Sequence, residues 1–112
     1  MKHELKDGML VISIEGNLLG ENTNAPVMEL IKQSIEAGNK KVIFNLSTMT
    51  FINSTGLGML LTAVSKVRNA GGEMVMCSLP EQMKKLLQMT KLESVFIIHS
   101  DEASATTFLN SK

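Results

Sequence analysis

The most constraining feature of the chain is the alternation of short apolar runs with segments whose apolar residues recur at helical spacing. Lys41 to Leu46, KVIFNL, is apolar almost throughout. So short a run fits a strand buried in a parallel sheet, where both faces are covered. From about Thr55 to Ala70, Leu57, Leu60, Leu61, Val64 and Val67 repeat with helical period until Gly71-Gly72 breaks them. Glu73 to Cys77 reads as the next strand. Pro80 starts another helix, with Met83, Leu86 and Leu87 inward. Val95 to Ile98 reads as a further short strand, and Asp101 is placed to cap a last helix through Leu109, with Ala105 and Phe108 inward.

The beginning of the chain fits the same frame. His3 to Leu5 and Met9 to Glu15 flank Lys6-Asp7-Gly8, and Asp-Gly is a strong hairpin signal. Leu10, Ile12 and Ile14 alternate to one face. Gly16 to Asn24 reads as a loop. Pro26 suits the first turn of a helix capped by Asn24, with Val27, Leu30, Ile31, Ser34 and Ile35 on one stripe and Gly38 at its end. Strand, helix, strand, helix, strand, helix predicts a single α/β domain over residues 1–112. Its sheet is mostly parallel with right-handed crossovers, an N-terminal antiparallel hairpin edge and about four helices.

Composition removes several function classes. Lys+Arg and Asp+Glu are both 11, so the basic surface of a nucleic-acid binder is missing and no nucleic-acid partner is expected. One cysteine, Cys77, excludes an internal disulfide framework and reads as a small buried hydrophobe. The N-terminus has no apolar signal region, and no run approaches the roughly 20 apolar residues that span a bilayer. A cytoplasmic protein without membrane insertion is expected. No His/Cys/carboxylate cluster stands at ligand spacing, so neither a metal nor a cofactor is expected.

The stretch Phe51 to Leu60, FINSTGLGML, carries the functional question. The helix is expected to begin at about Ser54, which places Ser54 at or near the N-cap, where a hydroxyl is worth about 1 kcal/mol. A cap does not explain Gly56 and Gly58, each of which costs up to about 1 kcal/mol relative to Ala inside a helix. They suggest that something comes close to the backbone. A helix N-terminus also favours an anion, so a phosphate on Ser54 could sit there without melting the helix. The segment is not a P-loop and not the G-x-S-x-G elbow of a hydrolase. A serine nucleophile lacks a base: the histidines are His3 and His99, and His99 reads as a strand-end residue. No catalytic residue, and no enzyme, is expected.

The run Asn45 to Leu60, NLSTMTFINSTGLGML, closely resembles the signature of STAS domains, specifically the bacterial anti-sigma factor antagonists. GGEMVMCSL, LLQMTKLESVF and the chain length extend the resemblance over nearly the whole sequence. It implies a phosphorylation-controlled partner switch. The unphosphorylated protein binds an anti-sigma factor that is also a serine kinase of the histidine-kinase-like ATPase type, and so frees the sigma factor. The kinase phosphorylates the serine that corresponds to Ser54, and a serine phosphatase reverses it. Thr55 is the neighbouring hydroxyl.

The expected docking surface comprises Leu18, Leu19 and Gly20 of the first loop with Asn53, Ser54, Thr55, Gly56, Gly58, Met59 and Thr62, extended by Lys66. For Met59, core packing is the rival reading. In the family Asp usually stands at the position of Asn53, and often follows Gly-x-Leu/Ile where this chain has Leu19. Both are neutral here, which counts against nucleotide- or metal-assisted activity. The alternative function is a STAS-like structural subunit of a membrane lipid-transport ATPase complex.

Overall fold

A computed structural model of the chain describes residues 2–18 and 24–111. β1 (Lys2–Lys6) and β2 (Met9–Leu18) form a hairpin, followed by α1 (Asn24–Glu36), β3 (Lys41–Ile52) and α2 (Ser54–Asn69). Then come β4 (Glu73–Cys77), α3 (Glu81–Thr90), β5 (Ile97–His99) and α4 (Glu102–Asn110). The hairpin turns at Asp7-Gly8, whose φ values of 53° and 78° are the left-handed pair that a tight two-residue turn between twisted strands requires. The strands lie side by side in chain order, β1 antiparallel to β2 and the others parallel.

Sequential order decides where the helices go. Right-handed crossovers that always step the same way across a sheet leave their helices on one face. Accordingly Val27 and Ile31 of α1, Leu57, Leu60 and Val64 of α2, and Met83 and Leu87 of α3 pack in one core with Leu10, Ile12, Val42, Phe44 and Met76. Among the described elements α4 alone covers the other face, where Ala105 and Leu109 pack on Met9, Val11, Ile43, Val75 and Cys77. This explains why KVIFNL is apolar on both sides: Phe44 faces three helices and Ile43 faces the fourth.

Several boundaries differ from the sequence reading; α1 already begins at Asn24, the residue expected to cap it. Gly16 to Leu18 belong to β2, although Gly16 to Asn24 reads as loop, and β3 runs on to Ile52, past Leu46 where the apolar run ends. The two strands continue as a paired ribbon past the last β4 partner, Asn45↔Cys77, down to Leu18↔Ile52. Register shifts between Ser13/Glu15 and Gly16/Asn17 each place an extra residue on β3. These bulges bring Leu46, Met49 and Ile52, three residues apart, all to the inner face. Strict alternation is thereby lost, which is why the segment did not read as strand. The remaining part of the predicted first loop, residues 19–23, lies outside the described residues.

The last strand also shifts, to Ile97–His99 instead of Val95 to Ile98. Phe96 turns into the large core, and the Val95 carbonyl accepts a 2.7 Å hydrogen bond from the Arg68 guanidinium, so neither joins the ladder. Asp101 caps α4 as its position suggests, its Oδ1 accepting from the Ser104 amide at 2.7 Å.

Candidate functional site

The candidate site forms where the β2–β3 ribbon ends and α2 begins. Ser54 is the first residue of α2, but the N-cap is Asn53, not Ser54. The Asn53 backbone is extended (φ −110°, ψ −179°), and its Oδ1 accepts from the Gly56 amide at 2.8 Å. The Leu57 amide returns to the Asn53 carbonyl at 3.0 Å. Asn is as good an N-cap as Ser. It wins here because β3 stays paired through Ile52, so residue 53 is the first free to turn. The Ser54 side chain is exposed, and its hydroxyl has no hydrogen-bond partner among the described residues. No acidic residue occupies the first turn of α2.

The two glycines have separate roles. Gly56 is buried, and a Cβ built on it lies 2.3 Å from the Leu18 carbonyl oxygen. The Asn53 amide donates to that same oxygen at 3.3 Å, so the end of β2 sits directly on the first turn of α2. Gly56 thus permits a contact within the chain, not one with a partner. A Cβ on Gly58 meets nothing within 4 Å. Gly58 therefore leaves open space on the helix surface, with Thr55 and Thr62 exposed on the same flank.

The remaining site residues divide in the same way. Leu18 is fully buried, and it meets the site from within the fold, through its carbonyl and its Cγ beside Gly56. Met59 is 2 % exposed and packs in the large core, which settles its position in favour of packing and removes it from the expected surface. The helix rotation that buries Leu60 and Ala63 also turns Met59 inward. Lys66 is exposed, Asn53 is half-buried, and Leu19 and Gly20 lie outside the described residues. The exposed residues of α2 thus include Ser54, Thr55, Thr62 and Lys66 of the expected surface, with Gly58 partly exposed among them.

One neighbour was not singled out from the sequence. Phe51, 48 % exposed, stands three residues before Ser54 at the end of the ribbon. Next to it the Thr50 carbonyl accepts from the Gln82 amide nitrogen, which ties the start of α3 to this end of β3. Its position just past the second bulge hid the outward direction of its side chain.

Other reactive groups are spoken for. Burial pushes the Cys77 thiol up to about 11, with Glu102 and Asp101 adding to it and a hydrogen bond with Ser78 opposing it. His99 Nδ1 stands 2.8 Å from Ser104 Oγ, its ring 5.2 Å from that of Phe108, as expected of a strand-end residue holding a helix. Among the described residues no group of three His, Cys, Asp or Glu is placed to hold a metal ion. None of their helices is long and apolar enough to cross a membrane.

Comparison with known proteins gives one answer. The STAS domain family model matches residues 1–105. BtrV of Bordetella bronchiseptica, provisionally named an anti-sigma factor antagonist, is 29% identical over 91% of this chain and 88% of its own. The anti-sigma F factor antagonist of Paenibacillus polymyxa is 26% identical over 91% of this chain and 87% of its own. Among solved structures, the anti-sigma factor antagonist SpoIIAA in its unphosphorylated form superposes with a TM-score of 0.77, at 18% identity, over 99% of this chain and 98% of that one. The phosphorylated form of this Bacillus protein gives 0.73 at 19% identity, over 96% and 97%. At these identities the structures share the fold.

Proposed function

The chain belongs to the STAS domain family, and from that premise we propose that it is an anti-sigma factor antagonist switched by phosphorylation of Ser54. One observation carries the reading. The cap of α2 is held by Asn53, so the Ser54 hydroxyl is exposed and uncommitted at the tip of the helix. A kinase can take it without breaking any bond of the fold. The relatives named as antagonists of anti-sigma factors support the class of partner. That SpoIIAA is known in phosphorylated and unphosphorylated forms supports the type of control.

In this reading the unphosphorylated protein docks the face of Ser54, Thr55, Gly58 and Thr62 on an anti-sigma factor that is also a serine kinase of the histidine-kinase-like ATPase type. Docking releases the sigma factor. The small side chains and the open space at Gly58 let a partner approach the helix backbone. Phosphorylation adds about −1.5 to −2 charges in the middle of that surface. The phosphate must then be desolvated on docking, and each ~1.4 kcal/mol so lost weakens binding tenfold. A serine phosphatase restores the binding form. The protein acts by binding, not by catalysis, and works in the cytoplasm with the transcription machinery.

Two measurements test this. Intact-mass analysis with site mapping, after incubation with ATP and serine kinases of the source cell, is expected to find one phosphate, on Ser54. Ser54→Asp is expected to weaken capture of the kinase while leaving the unfolding midpoint within about 0.5 kcal/mol of wild type, because an acidic group suits a helix N-terminus. An active kinase that leaves Ser54 unmodified would overturn the switch.

A further inference from the structure

Phosphoserine loses its second proton at about pH 6. The charge of a phosphate on Ser54 therefore depends on what lies nearby, and its two neighbours along the chain are Asn53 and the uncharged Thr55. Asn53 Oδ1 is committed to the Gly56 amide at 2.8 Å, which keeps the side chain over the start of the helix. It is neutral, and no acidic residue occupies the first turn of α2. The amides of Ser54 and Thr55 precede the first intrahelical acceptor and favour negative charge.

Resting on the Ser54 reading above, we infer that Asn53 sets the charge of the phosphate: a neutral cap leaves the second ionisation of phosphorylated Ser54 near pH 6, so that the dianion predominates at neutral pH, and makes the modification harmless to the fold. A carboxylate would cap the Gly56 amide equally well. It would also put a like charge on the residue adjoining the phosphate, taken as roughly 6 Å away, within reach of a neighbouring charge. At that distance a unit charge moves a neighbour's ionisation by about half a pH unit in water, and by more in less polar surroundings. The phosphate would then titrate close to neutral pH, and its repulsion of a partner would weaken as the pH falls. With Asn53 the dianion predominates at neutral pH, and its effect falls on the partner. Asn53 is in this sense a positioning residue for the switch.

The ionisable groups of the elements that meet here are Glu15 of β2, Glu29, Lys32 and Glu36 of α1, Lys41 of β3, Lys66 and Arg68 of α2, and Glu81, Lys84 and Lys85 of α3. Glu21 lies outside the described residues. All are common to the variants compared below, so a difference between those variants isolates residue 53.

The test installs phosphoserine at position 54 during translation, in the full chain, with Asn53, Asn53→Asp or Asn53→Ser. Phosphorus NMR then follows the second ionisation between pH 4.5 and 8. The Asn53 and Asn53→Ser proteins are expected to titrate at or below about pH 6, and Asn53→Asp at least about half a unit higher. Thermal unfolding at pH 7.5 is expected to show phosphorylation lowering the midpoint in Asn53→Asp and leaving it nearly unchanged in wild type. Coincident titrations for Asn53 and Asn53→Asp would overturn the inference. So would a shift in Asn53→Ser equal to that in Asn53→Asp, because cap geometry and not charge would then be responsible. The phosphate is placed without a kinase, so these outcomes are independent of whether a cellular kinase modifies Ser54. Failure of the switch itself shows only in the kinase and capture experiments.

Discussion

Replacing Gly56 by Ala puts a methyl group where the end of β2 already lies. The added carbon stands 2.3 Å from the Leu18 carbonyl oxygen, 3.0 Å from its carbon and 3.1 Å from Leu18 Cγ. Ordinary contact needs about 3.5 Å, so strand and helix must part by roughly 1 Å. The nearest atom is backbone and cannot swing aside. The 3.3 Å bond from the Asn53 amide to the same oxygen is already long and is lost in the movement, at about 1 kcal/mol. Overpacking adds about 1–3 kcal/mol, against a gain of up to about 1 kcal/mol from helix propensity. The expected net destabilisation is about 1–3 kcal/mol.

Gly58→Ala supplies the internal control two residues away. Its methyl group meets nothing within 4 Å, so only the propensity gain of about 0.5–1 kcal/mol remains. Urea unfolding followed by circular dichroism should therefore move the two midpoints in opposite directions from wild type. On heating, Gly56→Ala should melt lower by about 4–12 °C and Gly58→Ala higher by about 2–4 °C, at roughly 4 °C per kcal/mol. The assignment of separate roles to the two glycines is refuted if Gly56→Ala is as stable as wild type, or if both variants shift the same way.

Gly58→Leu should block capture of the kinase partner by pull-down while unfolding within about 1 kcal/mol of wild type; severe unfolding would move Gly58 to a packing role. Asn53→Ala removes the Gly56 cap bond and should lower stability by about 1 kcal/mol in urea, whereas Ser54→Ala, which removes no bond among the described residues, should leave it unchanged. Cys77, with its thiol pushed up to about 11 in the folded protein, should react with iodoacetamide at pH 8 only as fast as the protein unfolds. The sign of its linkage follows from the same burial: between pH 9 and 11 the unfolded chain loses the thiol proton and the folded chain keeps it. Stability should therefore fall as pH rises through that window, and the fall should be smaller in Cys77→Ala.

The kind and order of the elements could be read from residues that act within a few positions of themselves. Asp7-Gly8 sets its own turn, Pro80 and Asp101 mark helix starts, and the Leu57-Leu60-Val64 stripe declares a helix with one buried face. The double-sided KVIFNL run even required cover on both faces of the sheet. The motif around Ser54, together with the stretches that follow it, was enough to bring the family into view.

Other features were set by contacts between segments distant in sequence. Where β3 ends depends on pairing with the second half of β2, and two bulges in that pairing broke the alternation that would have announced it. Because the strand persists to Ile52, Asn53 becomes the cap and Ser54 is left free, although either residue is chemically fit to cap. Gly56 and Gly58 look alike in the sequence; only the arrival of Leu18 distinguishes a glycine that admits a strand from one that leaves a surface open. The chain determined which chemical groups stand at the start of α2. Close packing of β2 against that helix decided which of them face a partner, since a position's neighbours in a dense interior are supplied by whichever segment fills the space beside it.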